Sequence, residues 1–99
     1  MRPEHIAGAI ILQRECFPPP FPQELLWRAE HLERHLDIFS EGQFVALREG
    51  RVIGSASSLC ISEETWERHG SWDETVGGPT FANHDPHGTT LYGADISVS

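Results

Sequence analysis

Residues 89–99 read TTLYGADISVS, a stretch in which side chains of different character alternate at every second position. A period of two residues predicts a β-strand, because successive side chains of a strand point to opposite faces of its sheet. One predicted face carries Tyr92, Ala94, Ile96 and Val98, and the other carries Leu91, Gly93, Asp95 and Ser97. The pattern stops without a turn or a polar tail, so we expect further elements to follow it in the complete protein.

Two more strands are predicted upstream, at Gln43–Arg48 and Arg51–Ile61. Glu49 and Gly50 separate them, and this short glycine-containing turn predicts a tight antiparallel hairpin. The apolar run at residues 44–47 predicts that the first strand is covered on both faces. The second strand is rich in small residues, which indicates that a helix or a ligand packs closely against it, and we expect a helix.

A first helix is predicted from Pro3 and Glu4 to Glu15 or Cys16. Proline suits the first turn of a helix, and an early acidic residue complements the helix dipole. Residues 17–22, FPPPFP, then predict a stiff extended connector, because prolines exclude both a helix and a central strand. Its two phenylalanines either fill the core or form a wall of a substrate groove.

The longest predicted helix covers residues 23–39, where apolar side chains recur at intervals of three and four residues. Its predicted apolar face comprises Leu25, Ala29, Leu32, Leu36 and Phe39. His31 and His35 lie four residues apart, a spacing that can bind a metal. No convincing third ligand accompanies them, so we expect both histidines on a solvated face of the helix.

The stretch between the second and the last strand predicts two short helices. Ser62 is followed by two glutamates and is expected to cap a helix over residues 62–70, and residues 71–74 have the spacing of a capping box. Trp66 and Trp72 lie in these helices. Each tryptophan is either a core anchor or part of a groove.

His84, Asp85 and His87 lie in a turn that also contains proline and glycine. The turn itself is sufficient reason for these residue types. The alternative is a metal-dependent hydrolase, in which the three side chains bind a metal together with a more distant histidine.

The composition limits the class of protein and its partners. The 99 residues suffice for one small domain, and helices grouped before a hairpin predict the α+β class. A net charge of −8 argues against nucleic acid and anionic membranes as partners, and it favours a cationic substrate such as an amine. Cys16 and Cys60 are expected to be free thiols. No signal peptide or membrane span is visible, so we expect a cytoplasmic protein, and a homo-oligomer stays open.

Four segments together resemble the N-terminal half of a GCN5-related N-acetyltransferase (GNAT). They are residues 17–22 (FPPPFP), 41–46 (EGQFVA), 50–56 (GRVIGSA) and 91–98 (LYGADISV). The resemblance covers nearly all of this chain and about half of a family domain. It implies that residues 1–99 are a truncated N-terminal half with a partial acyl-CoA N-acyltransferase fold.

In the family, the strand that residues 91–98 resemble pairs through its backbone with the pantetheine arm of acetyl-CoA, like an added strand. The resemblance therefore implies acetyl-CoA as co-substrate and Ile96, Ser97 and Val98 as its backbone partners. A glycine-rich turn that holds the pyrophosphate follows this strand in the family. Because that turn is not among the 99 residues, we expect this chain alone to be inactive and to bind acetyl-CoA poorly or not at all.

The resemblance also implies acetyl transfer to an amine of a small molecule or a peptide. Asp95 is the candidate general base, because acidic residues of this strand can face the substrate in the family; the alternative is an exposed or ion-paired aspartate. The candidate substrate-binding residues are Phe17, Phe21, Trp72 and Tyr92, with Trp66 as a further groove residue. The competing function is a non-catalytic α+β module for binding or dimerisation.

Overall fold

The computed structural model describes all residues, Met1–Ser99. Two N-terminal helices precede an antiparallel hairpin, a short helical insertion and a final strand, so the predicted order and the α+β class are confirmed. The helices are α1 (Ile6–Cys16), α2 (Ala29–Phe39), α3 (Glu63–Glu67) and α4 (Trp72–Val76). The strands are β1 (Gln43–Arg48), β2 (Arg51–Ile61) and β3 (Thr90–Val98). None of the helices combines the length and the apolar character that a membrane span requires.

The three strands form one antiparallel sheet in the order β1-β2-β3. The bounds of the first two strands agree with the prediction. Glu49 and Gly50 both adopt positive φ angles, of 52° and 79°, which is the geometry of a tight two-residue hairpin turn. The turn therefore fixes the hairpin where the sequence predicts it.

A β-bulge changes the pattern of β3. Ser57 pairs with Asp95 and Ser58 pairs with Gly93, so Ala94 has no partner residue on β2. An extra residue on one strand shifts all later side chains to the opposite face. The single face predicted for Tyr92, Ala94, Ile96 and Val98 is therefore wrong: Asp95 and Ser97 share a face with Tyr92, whereas Ile96 and Val98 share one with Leu91.

Both long helices lie on the same face of the sheet. Gly8 of α1 approaches β2 so closely that a Cβ atom there would lie 2.7 Å from Cγ2 of Val52, which confirms the predicted helix packing on the second strand. Trp27 packs against both hydrophobic clusters of the core and joins them. The buried members of the clusters are Leu59, Ile61, Val76 and Phe81 in one, and Ile6, Ala9 and Leu32 in the other.

The opposite face of the sheet is open and apolar. The expectation that β1 is covered on both faces is wrong, because β1 is an edge strand and the helices cover one face only. Phe44 is 57% exposed and Ile96 is 75% exposed. Around them lie Ala46, Ala56, Leu91 and Val98.

The second long helix begins six residues later than predicted, at Ala29. The side-chain amide of Gln13 donates to the carbonyl of Trp27 at 3.0 Å and accepts from its N–H at 2.9 Å. This pairing holds the backbone of Trp27 next to α1, between Leu26 and Arg28, which are both extended. A contact with a distant glutamine thus prevents the helix that the local pattern favours, and Leu25 is left exposed.

His35 is buried, with 1% of its surface exposed, so the expected solvated position is wrong. Its ring stacks on Phe81 at 3.7 Å, and Nε2 donates to the carbonyl of Pro79 at 2.6 Å. Nδ1 has no partner. Burial penalises the charged ring and lowers the pKa of His35 to about 4.

The buried His35 should make the protein acid-sensitive. Because its folded pKa lies below the unfolded value, its contribution to stability is complete above pH 6.5 and is lost as the pH falls through about 4. The full loss is on the order of 3 kcal/mol. His35→Gln keeps a hydrogen-bond donor for the carbonyl of Pro79 but does not titrate. We therefore expect the free energy of urea unfolding of this variant to fall less between pH 6.5 and pH 4 than that of the wild type.

The matched control is His87→Gln, which changes an exposed histidine. Its unfolding free energy should follow the wild type from pH 7 to pH 4. Equal acid sensitivity of the wild type and His35→Gln would contradict a low pKa for the buried ring.

Candidate functional site

The outer edge of β3 carries backbone groups that no strand pairs with. The N–H of Ser99 donates to the carbonyl of Ile53 on β2 at 3.0 Å, so the backbone of Ser99 turns inward. The N–H and C=O groups of successive residues point to alternate sides of an antiparallel strand. Those of Ser97 therefore point toward β2, and those of Ile96 and Val98 point to the outer edge. Among these 99 residues the predicted pairing site is thus an unpaired strand edge, and its pairing with a ligand stays a prediction.

Two side chains confirm which carbonyls point outward. The indole N–H of Trp72 donates to the carbonyl of Ala94 at 2.8 Å. Cys16 Sγ donates to the carbonyl of Val98 at 3.5 Å. Of the three predicted cofactor-binding residues, Ile96 and Val98 thus present their backbone to the edge, whereas Ser97 pairs with Ser55 of β2.

Asp95 lies on the helix-covered face, half-buried in a small cavity between the sheet and α1. Burial raises the pKa of Asp95, and a hydrogen bond from Ser97 Oγ to Oδ2 at 3.3 Å partly offsets the rise. A carboxylate with a raised pKa is a better proton acceptor near neutral pH. Asp95 is neither fully exposed nor ion-paired, so the alternative of an ordinary surface aspartate does not describe it.

The predicted substrate-binding residues lie at different points along β3 rather than in one cluster. Trp72 contacts the middle of the strand, and Tyr92 packs against the core cluster of the helix-covered face. Phe17 and Phe21 contact each other, with ring centroids 5.1 Å apart. Their connector starts next to Cys16, at the Val98 end of the strand.

The connector phenylalanines belong to neither hydrophobic cluster, so they do not fill the core. Trp66 is 48% exposed and lies 6.4 Å from Tyr92, measured between ring centroids. Sequence reasoning did not identify Cys16 or Gln13 as neighbours of this region. No local pattern identifies them, because both reach it only through the packing of α1 on the sheet.

Searches for related proteins give two curated relatives, and no family model matches the chain. An uncharacterized N-acetyltransferase of Bacillus subtilis (strain 168), YkwB, is 49% identical over 94 residues, which are 95% of this chain and 42% of the relative. A probable hydrolase of the same organism, YhcX, is 40% identical over 89 residues, which are 90% of this chain and 17% of the relative.

Two solved structures share the fold. A GNAT-like decarboxylase, GphF, in complex with isobutyryl-CoA, aligns with a TM-score of 0.77 and 23% identity over 99% of this chain and 46% of its own. The loading GNATL domain of CurA from Lyngbya majuscula aligns with a TM-score of 0.74 and 16% identity over 99% of this chain and 45% of its own.

The chain corresponds to the N-terminal half of a GNAT-family domain. It spans less than half the length of each of these relatives and structures. The partial GNAT fold is confirmed: two helices, a hairpin, a helical insertion and a final strand. In this half-domain, β1 and β3 are the two edge strands, and β3 is the one that carries Asp95 and Ile96.

The alternative metal site lacks the necessary geometry. His84 Nδ1 accepts from the N–H of Cys60 at 3.1 Å, and Asp85 Oδ1 accepts from the N–H of His87 at 2.8 Å, so both side chains stabilise the turn. The structure gathers no group of three histidine, cysteine, aspartate or glutamate side chains that could hold a metal. Cys16 and Cys60 are free thiols, as expected.

The raised pKa of Asp95 leads to a titration experiment. The carboxyl carbon of Asp95, followed by NMR, should titrate above the usual value of 3.8. Ser97→Ala removes the hydrogen bond that favours the carboxylate, so we expect the pKa to rise further. Because the pKa of Asp95 is higher in the folded than in the unfolded protein, the Asp95 carboxyl stabilises the fold at low pH. This stabilisation is lost as the pH rises through the folded pKa.

Asp73, an exposed residue of α4, gives the reference. Asp95→Asn should remove a pH dependence of unfolding that Asp73→Asn retains. A pKa of Asp95 at or below 3.8 in the wild type would contradict the half-buried position of its carboxyl.

Proposed function

We propose that this chain supplies the substrate-facing half of an N-acetyltransferase, which transfers an acetyl group from acetyl-CoA to an amine. The observation that carries the proposal is the free outer edge of β3, where the outward backbone of Ile96 directly follows the half-buried Asp95. An extended amide-containing arm can add to such an edge as an extra strand. The relative named as an N-acetyltransferase supports this class of activity.

The reaction requires a neutral amine, because an ammonium ion has no free electron pair. In the proposal, Asp95 accepts a proton from the incoming amine, directly or through water. The amine nitrogen forms a bond to the thioester carbonyl carbon, the carbon–sulfur bond breaks, and the CoA thiolate leaves with the electron pair. Outward backbone N–H groups of β3 orient the thioester-bearing arm beside the amine.

The residues present suit one part of acetyl-CoA better than another. The edge of β3 offers donors and acceptors to the amides of the pantetheine arm. The phosphates have no such partner here, because the family's glycine-rich turn is not among the 99 residues and the net charge is −8. We infer that phosphate binding depends on residues outside 1–99. The same negative charge attracts a cationic amine substrate, in its small-molecule or peptide form.

A non-catalytic module for binding or dimerisation is the second candidate, and the open apolar face of the sheet favours it. Exposed apolar patches of this kind mark surfaces where another protein or segment binds. Phe44→Ser tests it: if the wild type is a dimer by sedimentation and the variant is a cooperatively folded monomer, this face joins two copies. A monomeric wild type would remove the dimerisation form of this hypothesis.

The acetyltransferase proposal predicts the behaviour of a chimaera. Residues 1–99 joined to the C-terminal half of YkwB should acetylate primary amines, measured as CoA release, whereas residues 1–99 alone should not. Asp95→Asn in the chimaera should reduce kcat by roughly a hundredfold or more, as expected for loss of a general base. Asp73→Asn is the matched control and should leave kcat unchanged.

Two outcomes count against the proposal. A folded chimaera that binds acetyl-CoA but acetylates no amine would exclude the reaction. Equal kcat values for Asp95→Asn and the wild type would exclude Asp95 as the base.

A further inference from the structure

We propose that Trp72 and Cys16 fix the register in which an extended ligand pairs with β3. They do so by occupying the two outward carbonyls on either side of Ile96. This inference rests on the proposed function, since it assumes a ligand arm that carries amides. Trp72 and Cys16 are positioning residues in it, because neither needs to touch the reacting atoms.

Trp72 is held firmly against the strand. Its indole N–H donates to the carbonyl of Ala94 at 2.8 Å, and its ring stacks on Trp27, with centroids 6.3 Å apart. Trp72 is the first residue of α4, whose start is fixed by Ser71: the Ser71 hydroxyl accepts from the N–H of Glu74 at 3.1 Å. A side chain held by a cap, a stacked ring and a hydrogen bond keeps the Ala94 carbonyl occupied.

Cys16 occupies the carbonyl at the other end. It is the last residue of α1, and its Sγ lies 3.5 Å from the carbonyl oxygen of Val98. A thiol is a weak hydrogen-bond donor, so this contact is easier to displace than that of the indole. The two ends of the edge are thus occupied by a strong and a weak donor.

Between these carbonyls, the free outward groups are the N–H and C=O of Ile96 and the N–H of Val98. An amide that offers both a donor and an acceptor can pair with Ile96 as the residue of a neighbouring strand does. A shift by two residues toward Ala94 meets a carbonyl that is already taken by Trp72. The ligand class that fits is a narrow, extended chain with amide groups, such as pantetheine.

The test is a titration of the 15N-labelled chimaera of residues 1–99 and the C-terminal half of YkwB with pantetheine at millimolar concentrations, followed amide by amide. In the wild type, we expect the amide proton shifts of Ile96 and Val98 to change most and that of the inward N–H of Ser97 least. Trp72→Phe keeps an aromatic ring but frees the Ala94 carbonyl. If two registers then become equally populated, the change at Ile96 falls to about half and a new change appears at Ala94.

Asp73→Asn is the control, because it changes the exposed neighbour of Trp72 in α4 and keeps the indole, and it should reproduce the wild-type pattern. Cys16→Ala is a second test that leaves Trp72 intact. We expect it to extend the perturbation to Ser99, because the carbonyl of Val98 becomes free. Together the two variants examine both ends of the edge.

The outcomes separate this inference from the proposed function. No perturbation along β3 in the wild type would overturn both. A wild-type response at Ile96 that stays unchanged in Trp72→Phe and Cys16→Ala would overturn the register role alone and leave pairing of the arm with β3 in place.

Discussion

The unpaired residue Ala94 determines what each later side chain of β3 can do. Without this bulge, Ile96 and Val98 would point into the helix layer and Asp95 would lie on the open face. With it, Asp95 lies half-buried in the cavity beside α1, while Ile96 points away from the helices. Bulges often occur next to functional sites, where they redirect a side chain. Here one extra residue places a carboxylate with a raised pKa next to a free backbone edge.

The helix layer supports this arrangement through a small number of specific contacts. Gln13 holds the backbone of Trp27, and Trp27 packs against both core clusters and stacks on Trp72. Trp72 then reaches the carbonyl of the bulge residue Ala94. The contacts that connect α1 with the edge of β3 are therefore amide hydrogen bonds and aromatic packing, and no buried ion pair takes part.

The predictable parts of the fold were those encoded locally. The turn at Glu49 and Gly50 fixed both strands of the hairpin, because few residue pairs adopt positive φ angles in succession. The start of α2 could not be predicted, since it depends on Gln13, a residue of another helix. The burial of His35 has the same origin, because Phe81 and Pro79 come from the distant insertion.

The candidate site also has a part that the local sequence indicates and a part that depends on tertiary contacts. The sequence indicates residues 91–98 as the candidate cofactor strand through their resemblance to GNAT proteins, and that role stays a prediction. The alternation of that strand looks continuous in the sequence, so the bulge, and with it the faces of Asp95 and Ile96, required the paired register. Contacts of Cys16 and Trp72 with the strand edge depend on tertiary packing and have no counterpart in a local motif.

Phe44 and Ile96 expose apolar surface on the side of the sheet opposite the helices. Such a surface favours association with a further segment or a second chain. The edge of β3 borders this face, so whatever covers it lies next to the proposed path of the ligand.

The most direct test of the central claim is amide hydrogen exchange of the complete protein with and without saturating acetyl-CoA, resolved to single residues. If the ligand arm adds to β3 as an extra strand, exchange slows at Ile96 and stays unchanged at Ser97, whose N–H already faces β2. Unchanged exchange along β3, together with protection elsewhere in the chain, would contradict the claim that this edge binds the cofactor.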